Sequence, residues 1–417
     1  MKGISCLSRV SGQEHNQICR ILLGLIVDLP LPNGQSPARL IRAVRGLLDF
    51  LYLAQYPLHS TETLDLLKDA LALWDENKQI FVDLDVQKHF DNIPKLHFLR
   101  HYLLSVTLFG TTDNYNTEYT ERLHIDLAKD AYRATNHVDE YTQMTLWLER
   151  REKIYRHHDY ISWLRAGKPP PMEWHPPDLF RRPRLQMTKH PSQYSVPLSD
   201  IVNNYGATYF RDAFATYWAQ LCRKPDARPR DVQQAADDYV LPFQKVSAFH
   251  KIKFFHTDPE GYTGSSEVQD AIHAQPARRD KRNKEIPGRF DTALLKDGDG
   301  FRVAQIRFIF APPRNVIKDL PPDVNPPTHL AYVELFQPFT PAPDVDHGMY
   351  KVSRSLNAAG ERLALIIPVD EIHRSVHLYP KFGPVAPRDW TSSNVLERCT
   401  QFYTNPWTDR HAYIMFS

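Results

Sequence analysis

The chain has 417 residues, 42% of them apolar and 24% charged, so it can build real cores and has room for two or three domains. Its formal net charge of +2 and pI near 8.2 exclude an argument for nucleic-acid binding from bulk charge, and any basic surface has to be local. The 33 prolines against 16 glycines cluster after residue 168 and exclude long uninterrupted helices there.

Cys6, Cys19, Cys222 and Cys399 are scattered, with no CxxC pair. That argues against a cysteine-based zinc site or a disulfide framework, and for a reducing compartment. The apolar run Ile21 to Leu31 is too short to span a bilayer and contains Asp28. No cleavage site of small residues follows it, so no membrane association is expected. The chain opens almost directly on an amphipathic pattern, which reads as an internal segment of a larger protein.

Residues 13 to about 165 have helical periodicity. Ile18, Ile21, Leu22, Leu25 and Ile26 share one face. Pro30 and Asn33-Gly34 break the run, and Ser36-Pro37 caps a second helix bearing Leu40, Ile41, Val44, Leu47, Leu48, Leu51 and Tyr52. A third helix follows Ser60 or Thr61 and buries Leu64, Leu67, Leu71 and Trp74; a short one covers Ile80 to Phe90. Pro94 opens another, with Leu96, Leu99, Leu103 and Leu104. A polar stretch then leads to a helix from about Glu118 to Ala134 and a long charged one from about Val138 to Leu164.

Residues 168–197 read as a proline-rich linker and 198–240 as a helical connector with helices around Tyr209 to Cys222 and Val232 to Tyr239. From about 241 the period changes to two. In LPFQKVSAFHKIKFF, Val246, Ala248, Ile252 and Phe254 are expected on one face; in FRVAQIRFIFA, so are Ala304, Ile306, Phe308 and Phe310. HLAYVELFQPF, RLALIIPV and HAYIMF are further strand candidates, and the aromatic residues Phe308, Phe310, Tyr332, Phe336 and Phe339 read as core. Residues 256–300 read as a mobile basic loop. The fold class is therefore α+β: a helical region over 1–167, the linker, the connector, and a small β-rich, barrel-like domain over 241–417.

The segment DNYNTEYTERLHIDLAKDAYRATN places Glu118 and Glu121 three apart at the opening of a helix, on one face. Such carboxylates suit a magnesium ion, or simply complement the helix dipole; both readings stay open on spacing alone. His97 and His101, four apart, suit packing or phosphate contact better than zinc, since no cysteine completes a ligand set.

The stretches SRVSGQEHNQICRILLGLI, RAVRGLLDFLYLAQY, PKLHFLRHY, LFGTTDNYNTEYTERLHIDLAKDAYRATN and MTLWLERREK resemble, in order, the C-terminal half of Plavaka-type fungal DNA transposases, relatives of the CACTA and Kyakuja-Dileera-Zisupton groups. The resemblance continues through RVAQIRFIFA, HLAYVELFQPF, MYKVSRSL and FYTNPWTDRHAY. It implies a ribonuclease-H-like (RNase H-like), DDE-type fold interrupted by a helical insertion, three acidic residues and two Mg²⁺ ions. Laid on NTEYTER, it makes Glu118 the third catalytic acid and metal ligand, with Glu121 as the alternative. The first two aspartates would lie upstream of the helical region, and no aspartate-bearing strand precedes residue 13. The chain alone is therefore expected to lack autonomous strand cleavage.

The same resemblance implies DNA at transposon ends as a partner, with self-association or a full-length transposase as further possibilities and no small-molecule substrate. Arg39, Arg42 and Arg45, and likewise Arg150, Arg151, Lys153 and Arg156, form basic stripes suited to DNA phosphates or to a solvated face. Arg278, Arg279, Lys281, Arg282 and Lys284 form a candidate nuclear-import or DNA-backbone run, and a nuclear location follows.

Overall fold

The computed structural model describes residues 10–91, 93–170, 183–223, 227–257, 267–298, 300–318, 320–322 and 324–416, without the side chains of Asn33, Glu118, Tyr119, Thr257, Glu267 and Val268. Nine helices are described in the first part: α1 (Gly12–Ile26), α2 (Ala38–Leu53), α3 (Thr61–Asn77), α4 (Ile80–Asp83), α5 (Pro94–Leu99), α6 (Tyr102–Phe109), α7 (Thr117–Leu123), α8 (Asp130–Arg133) and α9 (Glu140–Arg165). The expected helix over 118–134 is interrupted: a π-helical segment, His124–Lys129, separates α7 from α8. Beyond residue 183 come β1 (Arg184–Met187), β2 (Gln193–Pro197), α10 (Leu198–Asn203), α11 (Phe210–Leu221), α12 (Pro229–Asp237), β3 (Lys245–Phe249), β4 (Lys251–Thr257), β5 (Glu267–Gln275), β6 (Arg278–Arg279), β7 (Glu285–Ile286), β8 (Arg289–Phe290), β9 (Thr292–Asp297) and β10 (Gly300–Ala311). The chain closes with α13 (Arg314–Lys318), β11 (Leu330–Leu335), β12 (Lys351–Ser353), β13 (Ala364–Pro368), β14 (Ile372–Ser375), β15 (Leu378–Pro380), α14 (Val395–Arg398), β16 (Gln401–Thr404) and α15 (Arg410–Phe416).

The chain divides into two compact units that do not follow the linear order. One comprises Met1–Tyr52, Asp69–Asp91 and Asp178–Ser417; the other comprises Leu53–Lys68 and Asn92–Pro177.

The first unit is built on a seven-stranded antiparallel sheet. Its path is β13-β11-β10-β3-β2, and β9 pairs both β10 and β14. One face carries Phe308, Phe310, Tyr332 and Ile366 against Ile201, Tyr205, Phe210, Phe214 and Trp218 of the α10–α11 segment. The other face carries Ile306, Ile309, Val333 and Ile367 against Ile252, Phe254 and Ile272 of a four-stranded sheet, β1-β4-β5-β8. A third cluster joins Phe336 and Val303 to Val352, Phe402 and Phe416 beside the three-stranded sheet β12-β16-β15. The α+β class stands, but the sheets are open, and the barrel-like closure expected for residues 241–417 is not formed.

Two connections read from the sequence as irregular contain strands. The proline-rich linker 168–197 includes β1 and β2, because LQM and YSV supply period-two segments that find partners in β4 and β3. The loop 256–300 includes β5 to β9, where buried Ile272 and Ala274 alternate with polar residues. A third difference is HAYIMF, which forms α15 and not a strand. Asp409 accepts the backbone N–H of Ala412 at 2.9 Å and so caps that helix, and Ala412, Tyr413 and Phe416 are its buried face.

Strict alternation fails along β10. A register shift between Ile306 and Phe308 places Ala304 and Ile306 in one core and Phe308 and Phe310 in the other. Arg307 sits at this irregularity and is buried. Its Nη1 donates to Glu397 Oε1 at 2.7 Å, and its Nε lies 3.4 Å from Glu334 Oε1. Arg362 Nη1 completes the group, 2.8 Å from Glu334 and 2.6 Å from Glu397. Burial and the neighbouring Arg362 charge lower the Arg354 pKa to about 10, and its guanidinium lies over the Phe336 ring at 4.4 Å. Burial works to raise the Glu397 carboxyl, but the charges of Arg307 and Arg362 outweigh it and hold it below its ordinary range.

Helices α1 and α2 belong to the same unit as the C-terminal strands. The Tyr52 hydroxyl donates to the Trp407 carbonyl, and Trp407 Nε1 donates to Asp49 at 3.2 Å. Tyr379 O–H and Asn405 Nδ2 both donate to the Arg20 carbonyl. Gly24 packs on the Tyr379 ring with no space for a Cβ.

The second unit has few buried side chains; Val106, Ala131 and Thr135 are among them. Phe98, Leu104, Leu108, Phe109, Ile125, Leu127 and Ile154 are exposed. Arg151 Nη1 donates to the Asp126 carbonyl at 2.6 Å, joining α9 to the π-helical segment.

Candidate nucleic-acid interface

The three sets of cations singled out in the sequence have different fates. Each arginine of the first stripe has a carboxylate partner. Arg39 Nη1 pairs with Asp83 at 2.7 Å, Arg42 Nε with Asp346 at 2.7 Å, and Arg45 Nε with Asp49 at 3.1 Å. Arg45 Nη1 also donates to the Val345 carbonyl at 2.7 Å, and Gly348 takes a positive φ directly against the Arg45 guanidinium. These arginines join α2 to α4 and to the loop before β12; Arg39 stays exposed and Arg42 partly so, and Arg45 is the most enclosed of the three.

The stripe on α9 is more open. Lys153 pairs with Glu149 and Arg156 with Glu152, both one helical turn away. Such exposed i, i+4 pairs are weak and yield readily to a phosphate. Arg151 stacks over Trp147 and is tied to Asp126, whereas Arg150 is exposed.

The third set is presented most directly. Arg278 and Arg279 form β6, Glu285 and Ile286 form β7, and the two strands pair as a short hairpin. Asp280 shapes its tip: the backbone N–H groups of Arg282 and Lys284 donate to the Asp280 carboxylate at 2.8 and 2.9 Å, and Asn283 takes a φ of 60°. Arg278, Arg279, Lys281, Arg282 and Lys284 are all exposed, and among the described residues none is ion-paired. A carboxylate folded under the tip thus leaves five cations on the outside, an arrangement suited to phosphate oxygens. The basic run was legible in the sequence; the hairpin was not, because a two-residue strand carries no periodicity.

Glu118 lies in α7, and its side chain is outside the described residues. Glu121, the alternative, is exposed on the same helix. Asp126 lies 4.0 Å from Arg122, and Asp130 lies 3.3 Å from Arg133. Among the described residues no three His, Cys, Asp or Glu side chains converge as a metal site. His97 and His101 face each other, Nε2 to Nε2 at 3.2 Å, with rings edge to face.

No helix among the described residues is long and apolar enough to cross a membrane. No protein-family model matches the chain, and no curated protein and no solved structure matches it.

Proposed function

We propose that the chain is the C-terminal portion of a DDE-type cut-and-paste DNA transposase of the Plavaka group, contributing DNA binding and assembly without cleaving DNA on its own. The observation that carries this reading is a coincidence of two patterns. The segments that resemble the family, PKLHFLRHY, LFGTTDNYNTEYTERLHIDLAKDAYRATN and MTLWLERREK, are also segments whose apolar side chains lie exposed, including Phe98, Phe109, Ile125, Leu127 and Leu146. Exposed apolar faces of this kind mark a surface that another folded element covers. In this reading the element is an RNase H-like sheet carrying two aspartates, and Glu118, with Glu121 as the alternative, is the acid that joins them at Mg²⁺. Magnesium enters only through the resemblance.

The test pairs the chain with a separately expressed catalytic half of a Plavaka-type transposase. Together they should nick transposon-end DNA with Mg²⁺, and Glu118→Gln should abolish the nicking; the chain alone should be inert. Failure of the two halves to associate, with no cleavage, overturns the reading.

A second reading, a non-enzymatic DNA- or chromatin-binding module in the nucleus, is favoured by the β6–β7 hairpin. It predicts duplex binding that weakens steeply with salt and needs no catalytic half.

A further inference from the structure

The β6–β7 hairpin is the tip of a longer ribbon. At its root β5 and β8 pair antiparallel, with Gln275 opposite Arg289 and Ala274 opposite Phe290. Between the two paired stretches the legs pass close together: a Cβ on Gly288 would meet the backbone N of Ala277 at 3.1 Å and the carbonyl of Gln275 at 3.2 Å. Pro276 and Pro287 lie in this gap and offer no N–H to a ladder. The root is therefore fixed by the four-stranded sheet, while the tip has only two residues on each strand to hold it. A two-stranded ribbon that short is marginal by itself.

On charge alone Asp280 is misplaced. It stands among exposed Arg278, Arg279, Lys281, Arg282 and Lys284, where a carboxylate opposes every contact that those cations could make with a phosphate. Its geometry has the opposite sense. Asp280 is half-buried where its neighbours are exposed, and a single oxygen, Oδ1, accepts the backbone N–H groups of both Arg282 and Lys284. Two backbone bonds close the turn: Asp280 N–H to the Lys284 carbonyl at 2.9 Å, and Asn283 N–H to the Asp280 carbonyl at 3.0 Å. Asn283 takes the left-handed conformation of the turn, and its Oδ1 accepts from Arg279 Nη1 at 3.1 Å. The carboxylate thus sets where Arg282 and Lys284 leave the backbone, and Asn283 orients Arg279.

We propose that Asp280 is a positioning residue for duplex DNA: it holds the tip in one conformation, so that the five cations meet the phosphates as a rigid set. A duplex offers its phosphates at fixed spacing, and cations ordered in advance bind them without the entropic cost of arranging a loose loop. The partner is a regular duplex contacted along its backbone. The repulsion between Asp280 and the phosphates is smaller than the gain from the order that Asp280 supplies. This role rests on the proposed DNA-binding function of the hairpin.

The test titrates the full chain against a fluorescein-labelled duplex of mixed sequence, read by anisotropy over a range of salt. Asp280→Asn removes the charge but keeps one oxygen for both N–H groups; Asp280→Ala removes charge and acceptor together. Asp280→Asn should bind about twofold tighter than the unaltered chain, with the same salt slope. Asp280→Ala should bind about fivefold weaker than Asp280→Asn, with a slope shallower by about 1, near 0.9 per phosphate contact no longer held. Amide hydrogen exchange reads the tip directly: the N–H groups of Arg282 and Lys284 should exchange faster in Asp280→Ala and at the unaltered rate in Asp280→Asn. Charge alone predicts that both variants tighten binding equally. That result, or unchanged exchange in Asp280→Ala, overturns the role of Asp280 while leaving the DNA-binding reading intact. A chain that binds no duplex at low salt overturns both.

Discussion

Arg42 and Asp346 are 304 positions apart in the chain and meet at 2.7 Å, so an arginine from a stripe that looks like a DNA-binding face is instead a tie between α2 and the loop before β12. Replacing Arg42 and Arg45 together with alanine should lower the urea midpoint, with a loss of about 1–2 kcal/mol that is mostly Arg45, the more buried of the two. Its DNA affinity at a fixed temperature well below melting should be unchanged. A folded variant with reduced DNA binding would return the stripe to the interface.

Neutralising the β6–β7 hairpin should do the opposite. Glutamine at Arg278, Arg279, Lys281, Arg282 and Lys284 should leave the melting temperature within a degree or two. It should also flatten the dependence of log binding constant on log salt by up to about 4.5, near 0.9 for each of the five lost phosphate contacts. An unchanged slope would remove the hairpin from the interface.

Gly348 has a φ of 67°, and a Cβ there would meet Arg45 Nε at 2.8 Å. Gly348→Ala should therefore cost about 1–2 kcal/mol through backbone strain and a displaced guanidinium. Gly360, also at positive φ but with nothing within 4 Å, separates the two effects. If Gly360→Ala costs as much, strain alone is the cause and the contact with Arg45 contributes nothing.

The buried group around Glu334 should be intolerant of losing its centre. Glu334→Gln leaves Arg307 and Arg354 facing one carboxylate fewer inside the protein, a loss of about 3–5 kcal/mol by equilibrium unfolding. A loss under ~1 kcal/mol would mean that water reaches the site.

Stability should fall on mild acidification. Burial depresses the pKa of His250, His256, His329, His347 and His377; for His256 the nearby Arg374 and His411 add to the effect and take it to about 4. Unfolded, these rings protonate near 6.5, so as pH drops the unfolded chain takes up protons first. Stability is then complete above about pH 7 and declines down to about 4, with His256 alone accounting for up to ~3 kcal/mol. The difference between pH 7 and pH 5 in urea midpoints should shrink in His256→Phe. An undiminished difference would show that His256 is hydrated.

Much of the local order was legible because it is written in periodicity. The stripe of α2, the helix over Phe210–Leu221, and strands β11 and β13 appear where the spacing of apolar residues puts them. Buried Phe308, Phe310, Tyr332 and Phe336 confirm the reading of those aromatics as core. Periodicity reports which face is apolar and not what covers it, so it gave no sign that Phe308 and Ile306 serve different cores. One irregular residue at Arg307 reverses the sense of the alternation, and that residue is held by Glu334 and Glu397, far along the chain. HAYIMF failed as a strand for a related reason: six apolar and aromatic residues fit either period, and the Asp409 cap with the core around Phe336 and Phe402 decides for helix.

By itself the sequence determined the composition, the change of period near residue 241, the basic run at 278–284 and the ordered resemblance that motivates a transposase reading. Only the tertiary structure decided which charges are available. Arginines of identical chemistry become ties or exposed cations according to whether a carboxylate from a distant segment arrives within about 3 Å, and no local pattern encodes that meeting.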